Sequence, residues 1–241
     1  MKLQKLYSVT RQAIEAYQMI QAGDHIAIGL SGGKDSLALL YALSGLRQFY
    51  PHSFSLEAII VHLGFLEMDF SSIMELCTKL QVPCSLVETQ ISEIVFEERK
   101  EKNPCSLCAR LRKGALYKKA SSLGCNKIAY AHHFDDVVET VLLSLLYEGR
   151  FSCFSPVTFL DQTGLTVIRP FLYLLESDII GFQRAYSLPV VKNRCPMDGN
   201  SKREYIKQLI RQLNLENPGV KQRIFSALVN SNTAGWEKKK D

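Results

Sequence analysis

The chain has 241 residues, 46% hydrophobic and 22% charged, with 29 Lys and Arg against 24 Asp and Glu and a formal net charge of +5. This balance suits one large soluble α/β domain and excludes disordered and collagen-like chains. No apolar run approaches the ~20 residues of a membrane span, so no membrane partner is expected. Met1-Lys2-Leu3-Gln4-Lys5 opens no signal-peptide core, which predicts a cytoplasmic protein. The excess of positive charge is compatible with a polyanionic partner without demanding one. Seven cysteines in that compartment favour metal or redox chemistry over a disulfide framework.

Residues 1–22 read as an N-terminal helix, with Leu3, Leu6, Tyr7, Ile14 and Ile20 apolar and Lys2, Lys5 and Arg11 outward. Ile26 to Leu30 has the bulk of a buried parallel strand. It leads into Ser31-Gly32-Gly33-Lys34-Asp35-Ser36, and Leu37, Leu39, Leu40, Leu43 and Leu46 then recur at helical spacing, with Ser36 placed to cap that helix. A strand, a glycine pair and a helix start turn free backbone N–H groups and the positive end of a helix dipole toward one point, which binds an anion, most often phosphate. Lys34 adds charge. The string is not G-x-x-x-x-G-K-[ST], since Asp35 follows Lys34 and Ile28 stands five residues before Gly33. An acidic residue beside a phosphate cradle is repulsive unless a cation intervenes, so Asp35 suggests Mg²⁺.

Leu56 to Leu63 reads as a second strand around His62, followed by a helix over Phe70, Ile73, Met74, Cys77 and Leu80 and a third strand from Cys84 to Val87. Cys105-Ser106-Leu107-Cys108 then precedes a basic helix containing Arg110, Arg112, Lys113, Lys118 and Lys119. Lys127 to Ala131 is a fourth strand, with His132-His133 at its end and Asp135, Asp136 and Glu139 in the first turn of the next helix. Val137, Val138, Val141, Leu142, Leu145 and Leu146 mark one face of that helix. Residues 157–169 look like a hairpin around Thr163-Gly164, and three helices follow, the first near Glu176 to Tyr186. Trp236 to Asp241 is charged and expected to fray. The domain expectation is therefore an N-terminal helix over 1–22, a main domain over 23–230 and a flexible tail over 231–241.

Strands alternating with helices predict a doubly wound parallel sheet with N-terminal and C-terminal helices. Ligands bind such sheets at the carboxyl ends of the strands, so the glycine loop, His62 and the His132 to Asp136 segment are expected to converge. Three readings compete for the C-x-x-C: a thioredoxin-like redox pair, a structural zinc site, and an iron–sulfur cluster with Cys195-Pro196 as distant partner. Three cysteines would leave one iron without a protein ligand, open to an exogenous ligand such as sulfide. Cys77, Cys84, Cys125 and Cys153 read as packing residues.

The Ser31–Ser36 string resembles the SGGxDS pyrophosphate loop of the ATP pyrophosphatase (PP-loop) superfamily. Pro104 through Tyr117, Ala131 through Thr140 and Cys195-Pro196-Met197-Asp198-Gly199-Asn200 look like signatures of the TtcA family of tRNA 2-thiocytidine synthetases. The resemblance implies a PP-loop, adenine nucleotide alpha hydrolase-like fold. It implies ATP and Mg²⁺ at Leu30 to Ser36, with His62 and Asp135 also near the nucleotide, and a [4Fe-4S] cluster on Cys105, Cys108 and Cys195. It further implies ATP-dependent sulfur transfer to C2 of a tRNA pyrimidine, an anticodon-loop cytidine foremost. Asp35, Lys113 and Asp135 are the catalytic candidates beside the three cysteines, with Arg112 beside Lys113. The partners implied are tRNA and a sulfur donor, either cysteine desulfurase-derived or free sulfide, and a homodimer is allowed. Val61-His62-Leu63-Gly64-Phe65 departs from the Asn and Asp that better-known members carry there. Rival readings are thiolation of another base such as uridine, a lysidine-type ligase without a cluster, and an iron–sulfur RNA-binding or redox-sensing protein that retains the loop.

Overall fold

Period-two alternation sorts the side chains of the central strands onto two faces. In β1 (Asp24–Leu30), Ile26, Ile28 and Leu30 enter the larger core while Ala27 faces the smaller one. In β2 (Phe54–His62), Leu56, Ala58 and Ile60 take the first face and Ile59 and Val61 the second. Strands buried on both faces need helices on both, and the chain supplies them. These observations come from a computed structural model that describes residues 1–65, 68–99, 104–192, 195–196, 202–231 and 233–237.

In chain order the described elements begin with α1 (Leu3–Ala16), β1, α2 (Lys34–Leu46), β2, α3 (Ser71–Lys79) and β3 (Cys84–Glu88). Next come α4 (Ile91–Glu93), running into a π-helical turn at Ile94–Glu98, then α5 (Pro104–Ser122) and β4 (Lys127–Ala129). Helix α6 (Phe134–Leu143) also ends in a π turn, Ser144–Glu148. The hairpin β5 (Val157–Leu160) and β6 (Leu165–Ile168) leads to α7 (Glu176–Ala185), α8 (Lys202–Glu216) and α9 (Val220–Asn230).

The six strands lie in the order β3-β2-β1-β4-β6-β5. All neighbours are parallel except β5 and β6, which are antiparallel, so the expected parallel sheet carries one reversed edge strand. Chain order runs outward from β1 toward β3 on one side and resumes at β4 on the other. The topological switch point therefore lies between β1 and β4, and the loops after these two strands border the same crevice. Helix α5 covers the smaller core through Leu107, Leu116 and Ala120, with Ile91 and Val95 beside it. The larger core collects Leu37, Leu40, Val137, Val141, Ile179, Phe182 and Ile206 from the opposite helices. No helix among the described residues is long and apolar enough to cross a membrane.

Three expectations change at this level. The first helix stops at Ala16 because Gln18 adopts φ +47°, and Met19 and Ile20 instead lead into β1 as buried chain. Leu145 and Leu146 leave the apolar face of α6, because the π turn rotates them outward to 42% and 57% exposure. Trp236, placed by sequence in a fraying tail, is fully buried, edge-on to Tyr17 and Phe225. Its large apolar surface outweighs the charge of its neighbours in sequence. Residues 238–241 lie outside the described residues. Trp236→Ala should therefore lower the unfolding free energy by about 3–5 kcal/mol, measured by urea denaturation.

Candidate active site

The loop after β1 is held open by its own side chains. Gly32 adopts φ +81°, and a Cβ there would meet Val191 Cβ at 3.2 Å and the Phe70 ring at 3.4 Å, so the position requires glycine on both counts. Ser31 N–H donates to Ser36 Oγ at 3.2 Å, Gly33 N–H donates to Ser31 Oγ at 3.3 Å, and Ser36 Oγ donates to Gly33 O at 3.0 Å. Gly33, rather than Ser36, occupies the N-cap of α2, and no side chain caps that end. Ser36 sits one turn inside, where it braces the loop. The first N–H groups of α2 thus face the crevice without a side-chain acceptor, which is the arrangement that receives an anion.

Lys34 Nζ lies 3.0 Å from Asp35 Oδ2 and 3.1 Å from Glu176 Oε1. Burial works against its ammonium, but the two carboxylates hold its pKa above the ordinary lysine value. The other Asp35 oxygen, Oδ1, is buried without a hydrogen bond, 3.9 Å from His133 Nε2. A buried carboxylate oxygen with unused acceptor capacity fits a cation between loop and phosphate.

The loop after β4 supplies the other wall. His133 caps α6 in a reciprocal box: Asp136 N–H donates to its Nδ1 at 3.4 Å, and His133 N–H donates to Asp136 Oδ2 at 3.0 Å. An accepting Nδ1 leaves Nε2 to carry the proton, on the side of Asp35. Asp135 turns toward the later helices, accepting from Glu176 N–H at 2.7 Å and from Lys221 Nζ at 2.6 Å. His132 stacks on Phe154 with centroids 4.7 Å apart, and burial lowers its pKa to about 4, so it is neutral at physiological pH.

A cavity of about 200 Å³ opens between these walls and α5, with Leu30, Val61 and Leu116 as apolar lining and Arg112, Lys113 and His132 as polar lining. Of the sequence candidates, Leu30 and Lys113 meet directly here. His62 is not in the lining. It packs edge-on to Phe70, with Nδ1 3.0 Å from Glu88 Oε2.

Cys105 and Cys108 open α5, Cys105 exposed and Cys108 half-buried. Burial pushes the Cys108 thiol up, the Arg112 charge pulls it down, and both Cys195 and Cys105 lie near enough to push it up again. Cys105 and Cys195 are thus each within electrostatic reach of Cys108, and Arg112, one turn on from Cys108 in α5, also lines the cavity. Among the described residues no three Cys, His, Asp or Glu side chains are drawn together as a preformed metal-binding group.

Sequence reading missed Glu176 and Lys221 as site residues, since each is an ordinary surface charge until the helices pack. Arg203 and Lys207, in the first turns of α8, pair with carboxylates of α6 and α7. Arg203 reaches Asp136 at 3.2 Å and Glu139 at 3.0 Å, and Lys207 reaches Glu176 at 3.4 Å and Glu139 at 3.8 Å. Burial pushes Glu139 up to about 7 against the pull of Lys207 and Arg203. Burial also acts to raise Glu176, but Lys34, Lys207 and His133 together bring it down to about 2. A carboxyl with a raised native pKa binds a proton that the unfolded chain has released. Its contribution to folding is thus complete below the ordinary value of 4.5 and is lost as pH rises through about 7. The stability change caused by Glu139→Gln should accordingly shift in favour of the variant by about 2 kcal/mol between pH 5 and pH 7, measured by denaturant titration of both proteins at each pH.

Comparison with known proteins identifies the family. The family described as PP-loop domain matches residues 5–214. The chain is 39% identical over 229 residues to the tRNA-cytidine(32) 2-sulfurtransferase of Pelobacter propionicus, covering 94% of this chain and 85% of that protein. It is 37% identical over 232 residues to the protein of the same name from Geobacter sulfurreducens, covering 95% and 90%. The fold is shared with the U34-tRNA thiolase NcsA from Methanococcus maripaludis, solved with its [4Fe-4S] cluster, at TM-score 0.75 and 23% identity over 94% of this chain and 77% of that one. The chain belongs to the PP-loop family, among the tRNA-cytidine(32) 2-sulfurtransferases.

Proposed function

We propose that this protein uses ATP to activate C2 of a cytidine in the anticodon loop of tRNA and replaces the C2 oxygen with sulfur, releasing AMP and pyrophosphate. The observation that carries the reading is the double membership of Arg112. Arg112 lines the cavity that follows β1 and stands one helical turn from Cys108, which supports an ATP site that adjoins the thiols.

A pyrimidine C2 oxygen is a poor leaving group, and bonding it to AMP makes it a good one. The N–H groups at the start of α2, with Lys34, bind the β and γ phosphates. Asp35, through its unpartnered Oδ1, holds Mg²⁺ against them. Arg112 and Lys113 face the α phosphate and balance the charge that grows there as pyrophosphate departs. The neutral, stacked His132 and the apolar lining keep water from the activated carbon. Asp135 fixes the start of α7 and the Lys221 side chain, and so shapes the wall opposite the loop.

The donor types suit an iron–sulfur cluster: Cys105 and Cys108 stand one turn apart at the start of α5 with Arg112 a turn further on, and Cys195 lies near enough to Cys108 to act on its thiol, although the three are not drawn together as a preformed site. Cys105, Cys108 and Cys195 would hold a [4Fe-4S] cluster, which when bound supplies an iron without a protein ligand as the delivery point for sulfide. The sulfur is taken at the sulfide level, from free sulfide or from a cysteine desulfurase-derived source.

Asp35→Ala should reduce tRNA-dependent pyrophosphate release to background in a coupled assay; normal release would remove the metal role from this residue. Cys195→Ala should lose both the visible absorption of the reconstituted cluster and 2-thiocytidine formation by nucleoside mass spectrometry, while ATP binding persists. An unchanged cluster spectrum would take Cys195 out of the site.

A further inference from the structure

Large apolar side chains are left in solvent where α6 ends. The π turn at Ser144–Glu148 directs Leu145, Leu146 and Tyr147 outward, and Phe151 is exposed just after it. The turn is braced from beneath: buried Ser144 donates through Oγ to Arg150 O at 2.6 Å and meets Ser152 Oγ at 2.7 Å. Apolar groups held together at a surface mark a contact site. Cations stand among them. Lys202 Nζ, at the start of α8, lies 4.6 Å from the centre of the Tyr147 ring. Tyr205 follows three residues later on the same face of that helix and is exposed. Arg150 is exposed beside Phe151 and pairs with Glu148 at 3.5 Å.

This patch borders the cavity. Phe151 and Phe154 are three residues apart, so their Cα atoms lie within ~11 Å of each other. Phe154 stacks on His132, which lines the cavity, with centroids 4.7 Å apart. Helix α5, which lines the same cavity, exposes Arg110, Lys113 and Lys118 and contains no Asp or Glu. Among the described residues Arg110 and Lys118 form no ion pair. Uncompensated cations on α5, and rings interleaved with a cation beyond His132, suit a strand that carries both phosphates and flat bases. A second copy of the chain docked on the patch would bring its own cations to the same face.

We propose that Tyr147, Phe151 and Tyr205 form a platform on which unpaired bases of the tRNA anticodon loop stack while their neighbour occupies the cavity, with Lys202 and Arg150 meeting the phosphates. The proposal rests on the tRNA reading above and adds where the loop is held. A pyrimidine C2 is out of reach while its base is stacked, so the target nucleotide must be turned out. The bases beside it then lose a stacking partner, and aromatic side chains replace it.

The probe is an RNA stem-loop with the sequence of a tRNA anticodon arm and 2-aminopurine next to the target cytidine. The full chain is titrated with it in the absence of ATP, so that no turnover intervenes. In the wild-type complex the 2-aminopurine should stay quenched by stacking. Tyr147→Leu combined with Phe151→Leu should weaken binding about tenfold and brighten the probe at saturation. The slope of log K against log salt should not change, because no phosphate contact is lost. Tyr147→Phe combined with Phe151→Tyr should behave as wild type. Lys202→Gln should instead lower the slope by about 0.7 and leave the probe quenched. Thermal melts confirm that each variant is folded. A leucine variant that binds and quenches as wild type does would overturn the platform. If that variant also turns a dimer into a monomer by sedimentation, the patch is a subunit interface. Failure of the wild type to prefer the stem-loop to a blunt RNA duplex would instead overturn the tRNA reading itself.

Discussion

Two loops meet because β1 is hydrogen-bonded to β2 on one flank and to β4 on the other, all three parallel. Parallel neighbours end at the same level, so their following loops emerge side by side. The chain reverses its outward progression at this pair, which leaves the crevice between the two loops uncovered by a crossover helix. The other site features hang on that constraint. The loop after β1 contributes the glycine pair and the uncapped start of α2; the loop after β4 contributes His132 and the His133 cap. Helix α5 closes the cavity from the side and brings Arg112 and Lys113 with it.

Charge is distributed unevenly around this crevice. On the α5 side, Arg112, Lys113 and a neutral His132 face an apolar lining with no carboxylate among the lining side chains, an arrangement suited to a polyanionic ligand. On the far side, acids and bases alternate in close pairs from the loop across α6 and α8. Several of these groups are half-buried or buried, where a lone charge would be costly and an alternating line offsets its own desolvation. The contrasting shifts of Glu139 and Glu176 follow from this setting. Glu139 is almost fully enclosed and is raised by burial, whereas Glu176 is more open and flanked by Lys34 and Lys207, which outweigh its desolvation.

The cysteines divide along the same geometry. Cys77 and Cys125 are buried within the two cores and serve packing. Cys105 and Cys108 stand one turn apart on α5, Cys195 lies far along the chain but within electrostatic reach of Cys108, and Arg112 beside Cys108 also borders the cavity.

Local chemistry was readable from the residues alone. The loop was legible because a glycine pair between an apolar run and a leucine-striped helix leaves few backbone options, and the alternation of strands and helices required a doubly wound sheet. The C-x-x-C and the distant Cys-Pro marked the thiols by type. Tertiary packing decided what depends on which surfaces meet. It made Gly33 rather than Ser36 the helix cap, drew Glu176 and Lys221 into the site, and paired Arg203 and Lys207 with carboxylates of α6 and α7. It also rotated Leu145 and Leu146 outward through a π turn and pinned Trp236 in the core. The division has one physical cause. A backbone preference or a ligand type is a property of a few adjacent residues, whereas the partner of a long charged side chain is set by whichever helix the fold lays beside it.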